Sequence, residues 1–259
     1  MQLQELATAI HAIVAEAGAL ANRSFRSGQR TISDVWFKNG GSPVTAADIA
    51  TNDFLQTRLQ ALLPQAAWLS EETIDNADRL SQQLVWIVDP IDGTRAFLSG
   101  HPDWCVSVAL LEDGIPLIGD IAAPALNTHY LAWRGGGAWR DGLSINVSTH
   151  DLLTDARIAG PKPMIAAVDR SGQTIALERI PSLALRLARV AEGRIDIGLV
   201  SGKSHDWDIA AADVILAEAG GVLSDLAGKP VHYNNPTPTH GELVASSKVL
   251  HSSALKALS

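Results

Sequence analysis

Cysteine is almost absent from this chain, with one residue, Cys105, in 259. A single thiol excludes any intramolecular disulfide and fits a reducing compartment, so a cytoplasmic protein is expected. Cys105 lies in the apolar run WCVSVALL and reads as a small buried hydrophobe. Positive charge is also scarce. With 20 Lys and Arg against 28 Asp and Glu, the net charge is −8, which argues against nucleic acid or an anionic membrane surface as a partner. A small phosphorylated substrate stays open, because bound cations can reverse a local field. No apolar run is long enough to span a bilayer. The N-terminus, MQLQELATAIHAIVAEAGALA, has neither the basic region nor the unbroken apolar core of a signal peptide. Soft-metal signatures are missing, since there is no CxxC and the eight histidines form no HxxxH pair. There is no repeat and no long linker.

What is there is an ordered series of elements. Leu3, Leu6, Ile10, Ile13, Val14, Ala17 and Leu20 recur at three- and four-residue steps, the pattern of an amphipathic helix packed on a core. Residues 24–48 read as a polar loop or loose hairpin. Thr45 is a suitable N-cap for a helix that stops at Pro64. AAWLSEET and QQLVWIVDP read as strands. From 104 to 147, alternation and turns at Asp113-Gly114, Gly135–Gly137 and Asp141-Gly142 predict an antiparallel meander. Beyond 150, strand-like and helical stretches alternate and close with the strand ELVASS and the helix SKVLHSSALKAL. The expectation is an α+β chain in two parts, residues 1–150 and 151–259, sharing an interface that holds the site.

Carboxylates gather at the ends of these elements. Asp89 and Asp92 sit in DPIDGT at the end of a buried strand, where two negative charges repel and are costly to desolvate. Glu71 and Glu72 close another strand, Asp206 and Asp208 precede a helix, and Asp48 opens one. Singly, Asp48, Asp206 and Asp213 read as caps or solvated turns. Together, carboxylates from separate elements suit Mg²⁺, which takes oxygen ligands and keeps several waters. Gly93 and Thr94 add backbone N–H groups at a helix start, a cradle for phosphate.

LSEET, WIVDPIDGTRAF and DWDIAAADVILAEAGG resemble the three metal-site motifs of the inositol monophosphatase superfamily. SPVTAAD, VAEGRIDIGLV and GELVAS follow in the family's order, so the resemblance covers most of the chain. It implies a layered αβαβα sandwich and a Mg²⁺-dependent, lithium-sensitive phosphatase acting on a small phosphorylated metabolite. By the same resemblance Glu71, Asp89, Asp92, Asp208 and the carbonyl of Ile91 are ligands for two or three Mg²⁺ ions. Thr94, with Asp48 and Glu71, matches the apparatus that orients and deprotonates the attacking water, and the Gly93 and Thr94 amides hold phosphate oxygens. Lys38 falls where relatives carry a mobile-loop lysine; it reads equally as a solvated charge. Trp207 is expected to pack beneath the Asp208 loop, and His101 and His205 receive no role.

Two departures bear on the substrate. Inositol monophosphatases carry a glutamate seven residues before the third-motif aspartate, where this chain has Ser201. Arg186 occupies the place of a lysine in bisphosphate nucleotidases, and Lys203 stands nearby in sequence to assist with a second phosphate; both read equally as exposed charges. SPVTAADIA resembles the CysQ-type nucleotidases. The resemblance therefore implies a 3'(2'),5'-bisphosphate nucleotidase, converting adenosine 3',5'-bisphosphate to AMP, with Arg186, Ser201 and Lys203 on the substrate. Inositol-1-monophosphatase and histidinol-phosphate phosphatase are the alternatives, and a regulatory RNA-polymerase-binding protein is the rival from another class. Family members are commonly dimers, so a homodimer is the expected assembly.

Overall fold

A computed structural model describes residues 2–38, 41–170 and 172–258; Asn39 and Gly40, within the segment read as a loose hairpin, lie outside the described residues. The chain starts with α1 (Leu3–Asn22), the antiparallel hairpin β1 (Val35–Phe37) and β2 (Pro43–Thr45), and α2 (Ala46–Leu62). Then come β3 (Ala67–Ser70), β4 (Leu84–Asp92), α3 (Thr94–Ser99), β5 (Cys105–Glu112), β6 (Ile115–Ala123), β7 (Thr128–Trp133), β8 (Ala138–Arg140) and β9 (Leu143–Ile145). Strands β3 to β9 form a seven-stranded sheet in sequence order. The meander is antiparallel as expected, but β3 runs parallel to β4.

The remainder comprises β10 (Arg157–Ala159), α4 (Lys162–Val168), β11 (Ile175–Ala176), α5 (Leu183–Ala191), β12 (Ile197–Val200) and β13 (Ser204–His205). It ends with α6 (Asp206–Glu218), β14 (Gly221–Asp225), β15 (Thr239–His240), β16 (Leu243–Ser247) and α7 (Lys248–Leu258). A second, five-stranded sheet has the order β11-β10-β12-β16-β14 and mixes parallel with antiparallel pairs.

Strand alternation sorts the core into layers. On β4 and β5, Trp86, Val88, Val106, Val108 and Leu110 face α1 and α2, meeting Ile10, Val14, Leu55 and Leu59. The other face, carrying Val85, Ile87, Cys105, Ala109 and Leu111, meets α5 and α6. These two helices also cover Ala159, Val200, Leu243 and Ala245 of the second sheet. Ile158, Ile197, Leu199 and Val244 point the opposite way onto α4 and α7. The sequence of layers is helix, sheet, helix, sheet, helix, a layered αβαβα sandwich of the α+β class. Among the described residues no helix is long and apolar enough to cross a membrane.

One close approach fixes the middle layer on the first sheet. A Cβ built at Gly119 of β6 would lie 2.3 Å from the carbonyl oxygen of Ala211 in α6. Only glycine lets this helix backbone rest on the strand, and the helix begins with Asp206, Trp207 and Asp208.

Candidate active site

Asp89 and Asp92 are three residues apart, which on a regular strand would send their side chains to opposite faces. The ladder instead skips: Asp89 is opposite Ser107, and Asp92 is opposite Cys105. One extra residue on β4 forms a bulge, so both carboxylates face the layer containing α5 and α6. Pro90, which cannot donate a ladder hydrogen bond, sits inside that bulge. The chain then turns at Gly93, at φ 91°, where a Cβ would meet the Asp103 carbonyl at 3.0 Å and Ser182 Cβ at 3.3 Å. A side chain there would be strained by both the dihedral and the space.

Helix α6 brings Asp208 to the same place. One carboxylate oxygen from each of Asp89, Asp92 and Asp208 lies within 4.8 Å of the others. Burial, followed by repulsion from Glu71 and Asp92, pushes Asp89 well above the usual carboxylate range. Burial and Asp208 raise Asp92 to about 7, although Ser182 Oγ (2.5 Å) and the Ala184 amide (2.7 Å) donate to its Oδ2. Burial also raises Glu71. These groups resist ionisation until a positive charge joins them, and a set made entirely of carboxylate oxygens suits a hard divalent cation. Cys105 is buried behind Asp92, its Sγ 4.0 Å from Oδ2, and its thiol is pushed far up by burial. It packs as the small hydrophobe expected of it.

Asp48 performs two jobs. It closes the capping box of α2, its Oδ2 accepting from the Thr45 amide (2.8 Å) and hydroxyl (2.6 Å). Its Oδ1 lies 3.5 Å from the Thr94 hydroxyl, which is also 3.1 Å from the Ile91 carbonyl. Burial raises Asp48 to about 7 despite the Thr45 hydrogen bonds, with Glu72 and Glu71 adding to the rise. Lys38 is no solvated charge: its Nζ donates to Glu71 Oε1 (3.0 Å) and Glu72 Oε1 (2.7 Å) and to the Glu71 carbonyl (3.3 Å). His205 stands beside Asp208, donating its amide to Oδ2 (2.7 Å), and stacks on Trp207 with centroids 4.5 Å apart. Trp207 itself packs against the middle-layer core. Asp206 and Asp213 serve structure. Asp206 accepts from His240 (2.7 Å) and the Asn234 amide (2.8 Å), and Asp213 from Tyr233 Oη (2.8 Å).

Glu71, Asp89, Asp92, Gly93, Thr94 and Asp208 line a cleft of about 250 Å³ together with Arg95 and Arg179. Arg186, Ser201 and Lys203 are not among its lining. The Arg186 guanidinium is turned beneath the site, donating to the Leu199 carbonyl (2.9 Å) and the Ile180 carbonyl (2.9 Å). Ser201 and Lys203 occupy the exposed loop after β12. Besides Arg95, sequence reasoning missed Arg179. It lines this cleft and also an adjoining cavity of about 350 Å³ that contains His101, Asp103, Arg189 and Arg194. Arg189 is engaged by Asp103, whereas no hydrogen bond or ion pair holds the exposed Arg179 side chain among the described residues.

This bulged strand, its acidic cluster and the layered fold define a phosphatase-type scaffold. The family model for the inositol monophosphatase family matches residues 2–259, and the chain belongs to that family. It is 36% identical over 216 residues to the 3'(2'),5'-bisphosphate nucleotidase CysQ of Aggregatibacter actinomycetemcomitans, covering 80% of each chain. It is 35% identical over 233 residues to the histidinol-phosphatase of Mycobacterium tuberculosis, covering 84% of this chain and 85% of the relative. Among solved structures, the IMPase of Thermotoga maritima superposes with a TM-score of 0.84 at 27% identity, over 98% of this chain and 96% of the other.

Proposed function

We propose that the protein is a Mg²⁺-dependent phosphomonoesterase whose substrate carries a second phosphate, of the adenosine 3',5'-bisphosphate kind. The observation that carries this reading is Arg179, which borders both the acidic cleft and the neighbouring cavity containing Arg194. A phosphate being hydrolysed at the cleft leaves a second phosphate within the field of these guanidinium groups, and arginine suits planar, bidentate recognition. Arg186 has no part in this reading, because it does not line the cleft and its Nη1 and Nη2 donate to backbone carbonyls.

Glu71, Asp89, Asp92, Asp208 and the Ile91 carbonyl would hold the cations. When bound, these ions neutralise phosphate charge and acidify an attacking water. Thr94 orients that water through its hydroxyl, and Asp48, raised to about 7, accepts a proton near neutral pH. Water oxygen attacks phosphorus, the ester P–O bond breaks, and the departing alcohol takes up a proton. The Gly93 and Thr94 amides hold the phosphate oxygens. Lys38 keeps Glu71 and Glu72 in place from the opposite side.

The test compares kcat/KM for phosphate release from adenosine 3',5'-bisphosphate, 3'-AMP, inositol 1-phosphate and histidinol phosphate. A preference for the bisphosphate of at least about 100-fold, about 2.7 kcal/mol, is expected. Arg179→Ala should raise KM for the bisphosphate far more than for 3'-AMP. Equal rates on both nucleotides, or a preference for inositol or histidinol phosphate, would overturn the substrate assignment.

A further inference from the structure

A second group of potential ligands lies on the other face of the first sheet. His11 of α1, Asp120 of β6 and His129 of β7 place one ligand atom each within 4.8 Å of one another. Asp120 and His129 are diagonal neighbours on adjacent strands, since Asp120 pairs with Leu131 and Ala122 pairs with His129. Both face α1, whereas the acidic cluster faces α5 and α6. Asp120 is fully buried, and its two oxygens are divided between the imidazoles: Oδ2 to His11 Nδ1 (2.8 Å) and Oδ1 to His129 Nε2 (2.5 Å). The two rings stack with centroids 3.7 Å apart and a 30° tilt.

We propose that His11, Asp120 and His129 form a binding site for a borderline divalent metal of the zinc class, joining α1 to the sheet. Two imidazoles and one carboxylate are a donor set for such an ion, whereas the all-oxygen cleft suits Mg²⁺. Tetrahedral zinc needs its donor atoms about 3.3 Å apart. The three donor atoms lie within 4.8 Å of one another, with each imidazole already on an Asp120 oxygen. Entry is from solvent past His11, whose side chain is 39% exposed, while that of Asp120 is 0% exposed. The surroundings hold the ligands in orientation. Asp141 accepts from the His129 amide at 2.7 Å and donates its own amide to the His129 carbonyl at 2.9 Å. The site links α1 to a pair of consecutive strands about a hundred residues further along the chain, so its role is to fasten the N-terminal helix.

Cobalt(II) is the probe, added to the intact protein in excess Mg²⁺ so that the carboxylate cleft is filled by the harder ion. The wild type is expected to develop an intense visible ligand-field band, lost in His11→Gln and His129→Gln and retained in Asp92→Asn. Zinc should raise the melting temperature of the wild type and of Asp92→Asn, and leave both histidine variants unmoved. In case a variant fails to fold, imidazole ¹⁵N spectra of the wild type with zinc give a second readout: His11 and His129 must shift while His251 stays still. Absence of a band and of any shift would mean a purely hydrogen-bonded clasp and overturn the proposal. So would a band that disappears in Asp92→Asn and survives in His129→Gln.

Discussion

Replacing Asp92 with asparagine should stabilise the metal-free protein while abolishing turnover. Two unit charges 4.8 Å apart, the outer limit within the Asp89–Asp92–Asp208 group, repel by about 3 kcal/mol at an effective dielectric constant near 20. Asp92 takes part in two such pairs. Proton binding relieves part of that repulsion, as the rise of Asp92 to about 7 indicates, so the net gain expected for the variant at about pH 8 is ~2–4 kcal/mol. The asparagine carbonyl can still accept from Ser182 and Ala184, leaving the packing intact. The sign follows from the raised value. Below the ordinary aspartate range both folded and unfolded chains hold the proton and no penalty exists. The penalty grows as pH climbs toward 7 and is complete above it. Urea unfolding in EDTA at about pH 8 should therefore show the variant more stable, with the difference largely gone at about pH 4. Added Mg²⁺ should stabilise the wild type and barely affect the variant. A variant no more stable than wild type at about pH 8 would refute the idea that the fold stores repulsion at this site.

Gly119→Ala should lower stability by about 1–3 kcal/mol and reduce turnover, because the new Cβ meets backbone of α6 and must push Asp208 aside. Urea midpoints and phosphate release together test this, and a variant with wild-type values for both would show that the helix does not depend on this contact. His251, held between Ser224 and Ser246 hydroxyls at 2.7 and 2.8 Å, has its pKa lowered by burial. Its folded form resists protonation, so stability should fall as pH drops below the ordinary histidine value, and His251→Gln should flatten that slope. Equal slopes in denaturant titrations would dismiss it.

Much of the fold was legible because it rests on local rules. Thr45 caps α2 through its own hydroxyl and Asp48, and the meander turns fall where aspartate and glycine permit positive φ. The clustering of Asp89, Asp92 and Asp208 could be read because DPIDGT places two of them at one strand end and DWD places the third at a helix start. What escaped depends on tertiary placement. Nothing in the spacing of α4 announced a seven-residue helix, with prolines at 161 and 163. Arg186 lies four residues before Val190, as a nucleotidase residue would, yet helix α5 points its guanidinium at carbonyls. Arg179 stands in an irregular stretch with no periodicity to place it. Asp120 and His129 lie on consecutive paired strands, but His11 is about a hundred residues away, and only the packing of α1 on β6 and β7 brings it to them.

The resting of α6 on Gly119 makes the cleft a certificate of completed folding. Asp89 and Asp92 come from one sheet, and Asp208 from a helix whose own sheet is built from the last hundred or so residues of the chain. A nascent or clipped chain that has formed only the first sheet possesses two of the three carboxylates and the Gly119 seat, and lacks the helix that carries the third. The three-carboxylate cluster is complete only when α6 rests at backbone distance on Gly119.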